Sequence, residues 1–394
     1  MRDSSPRPPA VQALLSVQDM EAAQREITRW PSYLPTSLLP LDGLARHLGL
    51  QALWLKDESS RFGIGSFKAL GGAYAVLRLV VDRLNLDLSP GECSFDQMRA
   101  GRHQEALARL TVVCATDGNH GRAVAWGASQ IGCRCVVYIH AGVSPGREDA
   151  LRELGAEVVR TTGNYDDSVQ QAARQSRANG WILVADTSTD AGDASPRYVM
   201  AGYTVLMEEA REQLAEYAPP THIFVQAGVG GLAAAVIAGA ARAWVAHRPR
   251  IVVVEPDRAD CVFRSIVNDR RSSVEGSLDT LMAGLACGEV SYWAWPALRA
   301  AIDDVMTVPD DLIAPTMQLL LHGFHGDPSL VIGESGVAGL TAAIVARQDT
   351  ALSAALGLSG EARVLVIGTE GATDQSIYRR LIAGVEGRAA APAS

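Results

Sequence analysis

A lysine at the start of a predicted helix is the first candidate for chemistry. Lys68 lies in R-F-G-I-G-S-F-K-A-L-G-G, which follows the strand-like L-W-L-K-D-E and precedes an Ala/Leu-rich helical pattern. In an apolar first turn, near the positive end of a helix, an amine loses its proton more readily, and a neutral amine can form a Schiff base with an aldehyde cofactor. Taken alone, the residue also fits an ordinary lysine whose stem lies along apolar surface and whose ammonium reaches water.

A second segment places short polar side chains where a strand ends. In A-T-D-G-N-H-G-R, Asp117 and Asn119 follow a strand-like run and precede a helix. The carboxyl edge of an open α/β sheet is where ligands bind, so we expect both side chains to face a ligand. A helix N-cap with a turn would explain either residue by itself but not the whole cluster.

Two later segments also follow predicted strands. Q-A-G-V-G-G-L contains Gly228, Gly230 and Gly231, whose backbone N–H groups can bind a phosphate at the start of the next helix. I-G-T-E-G-A-T-D closes the last strand, and the hydroxyl of Thr369 can hydrogen-bond a pyridine nitrogen without requiring its protonation. Each segment has a structural alternative, which is close helix packing for the glycines and a turn hydrogen bond for the threonine.

The elements that must position these residues alternate between strands and helices. Strand-like apolar runs, each followed by a helical pattern or a glycine-rich turn, occur at 52–55, 110–115, 135–140, 181–185, 222–226, 250–254 and 363–368. This alternation predicts an α/β fold with mostly parallel sheets in two lobes. We predict a large domain formed by residues 1–100 and 206–394 and a small α/β domain, 101–205, inserted in it. Two polar connections, 85–103 and 186–197, flank the insert.

Composition limits the classes of partner. A net charge of -9 argues against nucleic acid or an anionic membrane as a partner. No uninterrupted apolar run approaches the about 18 residues of a membrane span, and the polar, proline-rich N-terminus is unlike a secretory signal. Six cysteines are too sparse for a disulfide scaffold and contain no C-x-x-C zinc pattern. We therefore expect a cytoplasmic protein that acts on a small molecule and binds no metal.

Taken together and in this order, the four segments resemble the tryptophan-synthase-β-like group of pyridoxal-phosphate enzymes, which is called fold type II. Within that group, S-F-K-A-L-G-G-A-Y, T-D-G-N-H-G-R-A-V-A-W, V-E-P-D-R-A-D-C and M-A-G-L-A-C-G-E closely resemble the diaminopropionate ammonia-lyase family. The similarity covers about residues 31–374. It implies two three-layer α/β/α lobes, with the smaller inserted in the larger, and a homodimer.

The resemblance also implies which residues bind pyridoxal phosphate. Lys68 matches the lysine that forms the Schiff base, and Phe67 precedes it in the cofactor site. Asn119 matches the residue that contacts the ring hydroxyl, and Thr369 matches the partner of the ring nitrogen. The phosphate loop corresponds to Gly228, Val229, Gly230 and Gly231.

The implied reaction is the α,β-elimination of D- or L-2,3-diaminopropionate to pyruvate and two ammonia through an aminoacrylate. The implied catalytic residues are Lys68, Asp117 and Asp186. Lys68 would serve as the general base. Asp117 would either pair with the β-ammonium of the substrate or remove the α-proton from the opposite face, which would admit the D-enantiomer. Asp186 matches an aspartate that lines the substrate site.

The sequence departs from the family pattern after Asp186. The family commonly carries a tryptophan and a tyrosine in the next few residues, whereas this chain has Thr189 and Gly192 at those positions. The departure leaves the exact substrate and stereopreference open. Cys261 and Cys287 fall on a cysteine pair of the family, and the sequence leaves open whether they form a disulfide.

Three other functions are alternatives to the elimination of diaminopropionate. The nearest is a serine or threonine dehydratase, or another β-lyase or β-replacement enzyme, on the same scaffold. A nicotinamide-dependent dehydrogenase is disfavoured because no G-x-G-x-x-G follows the first strand. A catalytically silent ligand-binding relative is disfavoured because the lysine, aspartate and asparagine candidates occur together.

Overall fold

The computed structural model describes residues 8–86, 94–116, 118–163 and 165–389. In chain order the strands are β1 (Leu38–Pro40), β2 (Ala52–Asp57), β3 (Thr111–Ala115), β4 (Arg134–Ile139), β5 (Glu157–Arg160), β6 (Ile182–Leu183), β7 (His222–Gln226), β8 (Arg250–Pro256), β9 (Asp304–Val308) and β10 (Arg363–Gly368). The helices are α1 (Pro9–Leu14), α2 (Val17–Ile27), α3 (Asp42–Leu48), α4 (Lys68–Arg83), α5 (Phe95–Arg99), α6 (Gln104–Leu107), α7 (Asn119–Ile131), α8 (Pro145–Glu153), α9 (Tyr165–Asn179), α10 (Ser195–Gln213), α11 (Gly231–Ala243), α12 (Cys261–Val267), α13 (Trp295–Ala301), α14 (Ile313–His322), α15 (Ala338–Gln348), α16 (Thr350–Leu356) and α17 (Gln375–Ala389).

Two compact units divide the described chain. One contains residues 8–14, 35–60 and 206–389, and we call it the six-strand unit. Its sheet has the order β1-β2-β10-β7-β8-β9, and every neighbouring pair is parallel except β1 and β2. The other contains residues 15–34 and 61–205, and we call it the four-strand unit. Its sheet is fully parallel, with the order β5-β4-β3-β6. The predicted α/β class with mostly parallel sheets is confirmed.

The predicted boundary between residues 100 and 101 lies too late in the chain. Residues 61–100 belong to the four-strand unit, as far as they are described, because α4 packs along α7. A Cβ atom added at Gly72 would lie 2.6 Å from the Cβ of Ala123, and one added at Gly127 would lie 2.8 Å from the Cα of Ala73. Glycines therefore allow these two helices to approach closely, and a composition-based boundary cannot detect such a contact.

Burial explains why the central strands of the six-strand unit form. In β7, β8 and β10 all residues except the first of β8 and of β10 are buried, and these strands read H-I-F-V-Q, R-I-V-V-V-E-P and R-V-L-V-I-G. Continuous β-branched runs of this kind are typical of strands covered on both faces. None of the helices within the described ranges combines the length and the hydropathy that a membrane span requires.

Candidate active site

Lys68 and Asp186 meet in the four-strand unit. Lys68 is the first residue of α4, and Asp186 follows β6, the neighbour of β3 in the sheet. The Nζ atom of Lys68 donates a hydrogen bond to Oδ2 of Asp186 at 2.6 Å, and the two side chains are 20% and 15% exposed. The contact is an ion pair in which the lysine is the cationic partner, whereas the sequence suggested a neutral amine. The structure thus adds a counter-charge that helix position alone did not indicate.

The charge state of Asp186 follows from its surroundings. Burial alone would raise the pKa of this carboxyl group, but the Lys68 ammonium opposes burial and holds the pKa well below its usual range. Asp186 is therefore ionised at neutral pH. It can act as a counter-charge or accept a hydrogen bond, but it has no proton to donate.

His120 lies behind this ion pair. Its Nε2 atom is 2.9 Å from the carbonyl oxygen of Val184, and its Nδ1 atom is 4.0 Å from Oδ2 of Asp186. Burial lowers the pKa of His120 despite the nearby carboxylate, so the ring is neutral at neutral pH. Because a carbonyl oxygen only accepts, Nε2 carries the proton and Nδ1 is the unprotonated nitrogen. His120 was not among the residues predicted from the sequence, although it belongs to the T-D-G-N-H-G segment that contains Asp117 and Asn119.

Tyr203 is a second neighbour of Lys68 that sequence analysis missed. The Nζ atom of Lys68 lies 5.9 Å from the centroid of the Tyr203 ring and 5.5 Å from that of Phe67, and the two rings lie 4.6 Å apart. A Cβ atom at Gly71 would lie 2.5 Å from the carbonyl oxygen of Val199. Glycine at this crossing lets α10 approach α4 and brings the buried tyrosine to the lysine.

Asn119, another predicted residue of this unit, follows the end of β3. Asn119 is the first residue of α7 and is half-buried. The Thr116 hydroxyl accepts hydrogen bonds from the backbone N–H groups of Gly118 and Gly121, each at 3.0 Å, and so shapes the turn that leads into the helix. Asp117 lies outside the described residues, so its predicted place in the substrate site stays a prediction.

The segment that departs from the family pattern is a loop between β6 and α10. Within it, the backbone N–H of Gly192 donates to Oδ1 of Asp190 at 2.6 Å, and that of Ser195 donates to Oδ1 of Asp193 at 2.8 Å. Two local aspartate turns therefore shape a loop that carries no aromatic side chain between 187 and 195.

The predicted phosphate loop lies in the six-strand unit, between β7 and α11. Gly230 has a φ of +88°, and a Cβ atom there would lie 2.5 Å from Cδ1 of Leu298. A Cβ atom at Gly228 would lie 2.8 Å from the sulfur of Cys287. Gly231 begins a 13-residue helix, so backbone N–H groups and the helix dipole point toward the loop. Val229 lies in the loop itself, where its carbonyl oxygen accepts from the backbone of Ser291 at 2.9 Å.

Thr369 lies at the neighbouring strand end of the same sheet. It directly follows β10, which pairs with β7, and its side chain is buried. Its hydroxyl oxygen accepts a hydrogen bond from Nε2 of Gln226, the last residue of β7, at 3.0 Å. The predicted threonine and the predicted glycine loop are thus adjacent in the fold, and Gln226 links them.

Cys261 and Cys287 both lie near Gly228. The Cys261 sulfur donates to the carbonyl oxygen of Gly228 at 3.5 Å and is 3.7 Å from Oε1 of Glu255. Both cysteines are thiols, so the disulfide that the sequence left open is not formed in this structure. Burial raises the pKa of Glu255 to about 8, although two backbone N–H groups of α12 donate to its carboxylate.

Each unit contains residues of the kinds that bind pyridoxal phosphate. A glycine loop at a helix start suits a phosphate, a buried threonine hydroxyl suits a ring nitrogen, and a partly exposed lysine beside a carboxylate suits an aldehyde. A Cβ atom at Gly228 or Gly230 would meet the end of a neighbouring side chain, and the φ of +88° at Gly230 also disfavours any other residue there. A site built for a dinucleotide would not need the lysine.

Comparison with known protein families supports a protein that binds pyridoxal phosphate. Residues 30–370 match the family model described as pyridoxal-phosphate dependent enzyme. The match spans most of the chain and includes the candidate residues of the four-strand unit and those of the six-strand unit. The chain therefore belongs to the pyridoxal-phosphate-dependent enzymes.

Individual relatives narrow the group. The chain is 37% identical over 373 residues to the diaminopropionate ammonia-lyase of Escherichia coli K12, which covers 94% of this chain and 92% of that protein. It is 39% identical over 362 residues to the diaminopropionate ammonia-lyase of Salmonella typhimurium, with 89% of each chain covered. The crystal structure of the holo enzyme from E. coli matches with a TM-score of 0.87 and 36% identity, over 99% of this chain and 96% of that one. The predicted family and the predicted fold type II are confirmed.

Proposed function

We propose that this protein catalyses the α,β-elimination of 2,3-diaminopropionate, as the D- or L-enantiomer, to pyruvate and two ammonia, with pyridoxal phosphate as cofactor. The observation that carries the proposal is the ion pair between Lys68 and Asp186 at the start of α4, in a chain with 37% identity to a diaminopropionate ammonia-lyase over 94% of its length. One water is consumed, so the diamine and the water account for every atom of the products.

The residues that would hold the cofactor are neutral donors and one lysine. Backbone N–H groups of Gly228, Val229, Gly230 and Gly231 would bind the phosphate. Asn119 and Thr369 would contact the ring, Phe67 would flank it and Lys68 would bind the aldehyde carbon. When bound, pyridoxal phosphate withdraws electrons from the Cα atom of the substrate and so acidifies the Cα–H bond.

Lys68 would move the proton. Once the substrate amine has replaced it, its Nζ atom is available to remove the α-proton as a general base. The C–N bond at the β-carbon then breaks, and the β-amine leaves as ammonia. The rings of Phe67 and Tyr203 lie beside the Nζ atom of Lys68 and limit the positions that the amine can take.

The two aspartates would divide the remaining work. Asp186 stays ionised near Lys68 and would keep the lysine in register with the substrate, and its negative charge also suits a substrate with two amines. Asp117, carried over from the family pattern alone, would remove the α-proton of the D-enantiomer from the opposite face. A serine at 117 would suit a hydroxyl leaving group instead.

The stoichiometry of the products tests the substrate. We expect D- or L-diaminopropionate to give two ammonia per pyruvate and the highest kcat/KM in a panel that contains D-serine, L-serine, threonine and diaminopropionate. Serine would give one ammonia per pyruvate, because its leaving group is water. If serine or threonine gave the highest kcat/KM, the dehydratase function would replace the one proposed here.

We also infer a homodimer in the cytoplasm. The homodimer is carried over from the resemblance to fold type II enzymes. The buried thiols of Cys114, Cys135 and Cys261 are consistent with a reducing compartment. Sedimentation of the purified protein tests the first statement, and cell fractionation tests the second.

A further inference from the structure

The amide of Gln226 has an orientation that its surroundings determine. Its Nε2 atom lies 3.1 Å from the carbonyl oxygen of Ser335, 3.0 Å from that of Gly336 and 2.9 Å from that of Ile367. Carbonyl oxygens only accept, so the amide nitrogen and not the amide oxygen must face them. The side chain is 1% exposed, and water therefore does not compete for these contacts.

The carbonyl groups are themselves held in place. The backbone N–H of Ser335 donates to Oε1 of Glu370, and its hydroxyl oxygen accepts from the backbone of Gly284 at 2.9 Å. The backbone N–H of Gly336 donates to the carbonyl oxygen of Gly333 at 2.9 Å. On the opposite side of the amide, a Cβ atom at Gly339 would lie 3.0 Å from Oε1 of Gln226, so glycine makes room for the amide oxygen.

The same nitrogen is 3.0 Å from the hydroxyl oxygen of Thr369. The two protons of the amide are shared among the three carbonyl oxygens and the threonine oxygen, and an amide nitrogen cannot accept a hydrogen bond from the hydroxyl. The proton of the hydroxyl is then directed elsewhere. Thr369 is buried, and no residue that the structure describes accepts this proton, so a ligand that supplies an acceptor would remove the free-energy cost of a buried, unpaired donor.

We propose that Gln226 is a positioning residue that turns the Thr369 hydroxyl into a donor toward the ring nitrogen of pyridoxal phosphate, which binds with that nitrogen unprotonated. A protonated nitrogen would be a second donor, and it would leave the threonine proton without an acceptor. The inference rests on the cofactor site proposed above. It concerns the cofactor and not the amino acid, so it holds for any substrate of this site.

A double-mutant cycle on cofactor binding tests the proposal. Gln226→Met keeps the approximate shape of the side chain but removes the donor, and Thr369→Val removes the hydroxyl with little change of shape. We expect Gln226→Met to raise the dissociation constant of the apoenzyme for pyridoxal phosphate about tenfold. In a protein that already carries Thr369→Val, the same substitution should raise it less than about twofold. Equal weakening in both backgrounds would show a purely structural role and would overturn the proposal.

Gln213→Met is the matched control in the same unit. Gln213 donates to the carbonyl oxygen of Thr36 at 2.8 Å, and no hydrogen bond connects it to Thr369 within the described residues. The control should leave the dissociation constant unchanged in both backgrounds. A change that depends on Thr369 would mean that the loss of a glutamine elsewhere in the unit also acts through this site, which would overturn the specific role of Gln226.

A second measurement applies even where Gln226→Met does not fold. The nitrogen chemical shift of cofactor labelled with ¹⁵N in its ring, bound to the wild-type protein, should be that of a hydrogen-bonded neutral pyridine. A pyridinium shift would overturn the proposal while leaving the lyase function intact. A wild-type protein that takes up no cofactor would overturn both the inference and the proposed function.

Discussion

The candidate residues of the two units differ in kind. In the four-strand unit they are charged, because Lys68 and Asp186 form an ion pair in which only Lys68 is proposed to take up a proton from a substrate. In the six-strand unit they are neutral dipoles, which are the backbone of Gly228–Gly231, the amide of Gln226 and the hydroxyl of Thr369. Charged side chains change state during a reaction, whereas fixed dipoles bind without changing. The comparison therefore separates residues that should control kcat from residues that should control cofactor affinity.

The largest expected effect comes from the charged group. Lys68→Ala should lower kcat by at least about 10³-fold, because it removes both the proposed covalent partner of the cofactor and the proposed general base. It should also abolish the visible absorption band of lysine-bound cofactor. Lys68→Arg is the control for charge, since it keeps a cation beside Asp186 but cannot form the bond, and it should be equally inactive. Normal turnover by either variant would remove Lys68 from the mechanism.

Asp186→Asn should have the next largest effect, about 10²-fold on kcat with a smaller change in cofactor affinity. Burial works against the ionised form of Asp186, and the Lys68 ammonium outweighs it, so the pKa lies below the unfolded value of about 4. The stability that the ionised carboxylate contributes is thus fully present above about pH 4 and is lost as pH falls through the folded pKa.

Thermal unfolding across pH checks the sign of this effect. In the apoenzyme, where Lys68 carries a free ammonium, wild type should be more stable than Asp186→Asn at pH 7 by about 1–2 kcal/mol, and the difference should shrink below about pH 4. A difference that grew toward acid pH would contradict the ion pair. Asp303→Asn serves as a control, since this residue pairs with Arg248 in the six-strand unit and should leave kcat unchanged.

Gly230, in the proposed phosphate loop, tests the role of the neutral groups in the six-strand unit. Gly230→Ala should weaken binding of pyridoxal phosphate about tenfold or more, because a φ of +88° is unfavourable for alanine and its Cβ atom would meet Leu298. Once the enzyme is saturated with cofactor, kcat should change by less than about threefold.

Gly276→Ala is the matched control for the backbone. Gly276 has a φ of +100°, and a Cβ atom there would have no neighbour within 4 Å. Both substitutions impose a similar backbone penalty, but only Gly230→Ala lies in the loop. If the two variants bound cofactor equally well, the loop would not hold the phosphate.

The sequence was sufficient to predict the parts that local pattern determines. Lys68 and the glycine loop stand at strand-to-helix transitions, which turn residues and apolar periodicity mark. The sequence could not predict the Lys68–Asp186 contact or the Gln226–Thr369 contact, because each joins residues more than 100 positions apart through sheet order. The predicted boundary between residues 100 and 101 was placed too late for the same reason, since the helix contacts through Gly72 and Gly127 leave no local signal in the sequence.

Tyr203 is the clearest case of such a residue, and it gives the smallest expected effect. Its ring lies 5.9 Å from Nζ of Lys68 because Gly71 allows α10 to approach α4. Tyr203→Phe keeps the ring and its attraction for the ammonium, so we expect kcat to change less than about threefold, whereas Tyr203→Leu should lower it more than about tenfold. The pH dependence of kcat for the phenylalanine variant is the decisive measurement. If its profile shifted and its kcat fell as far as that of the leucine variant, the phenol hydroxyl would itself take part in proton transfer, and the ion pair would not be sufficient to move the proton in the four-strand unit.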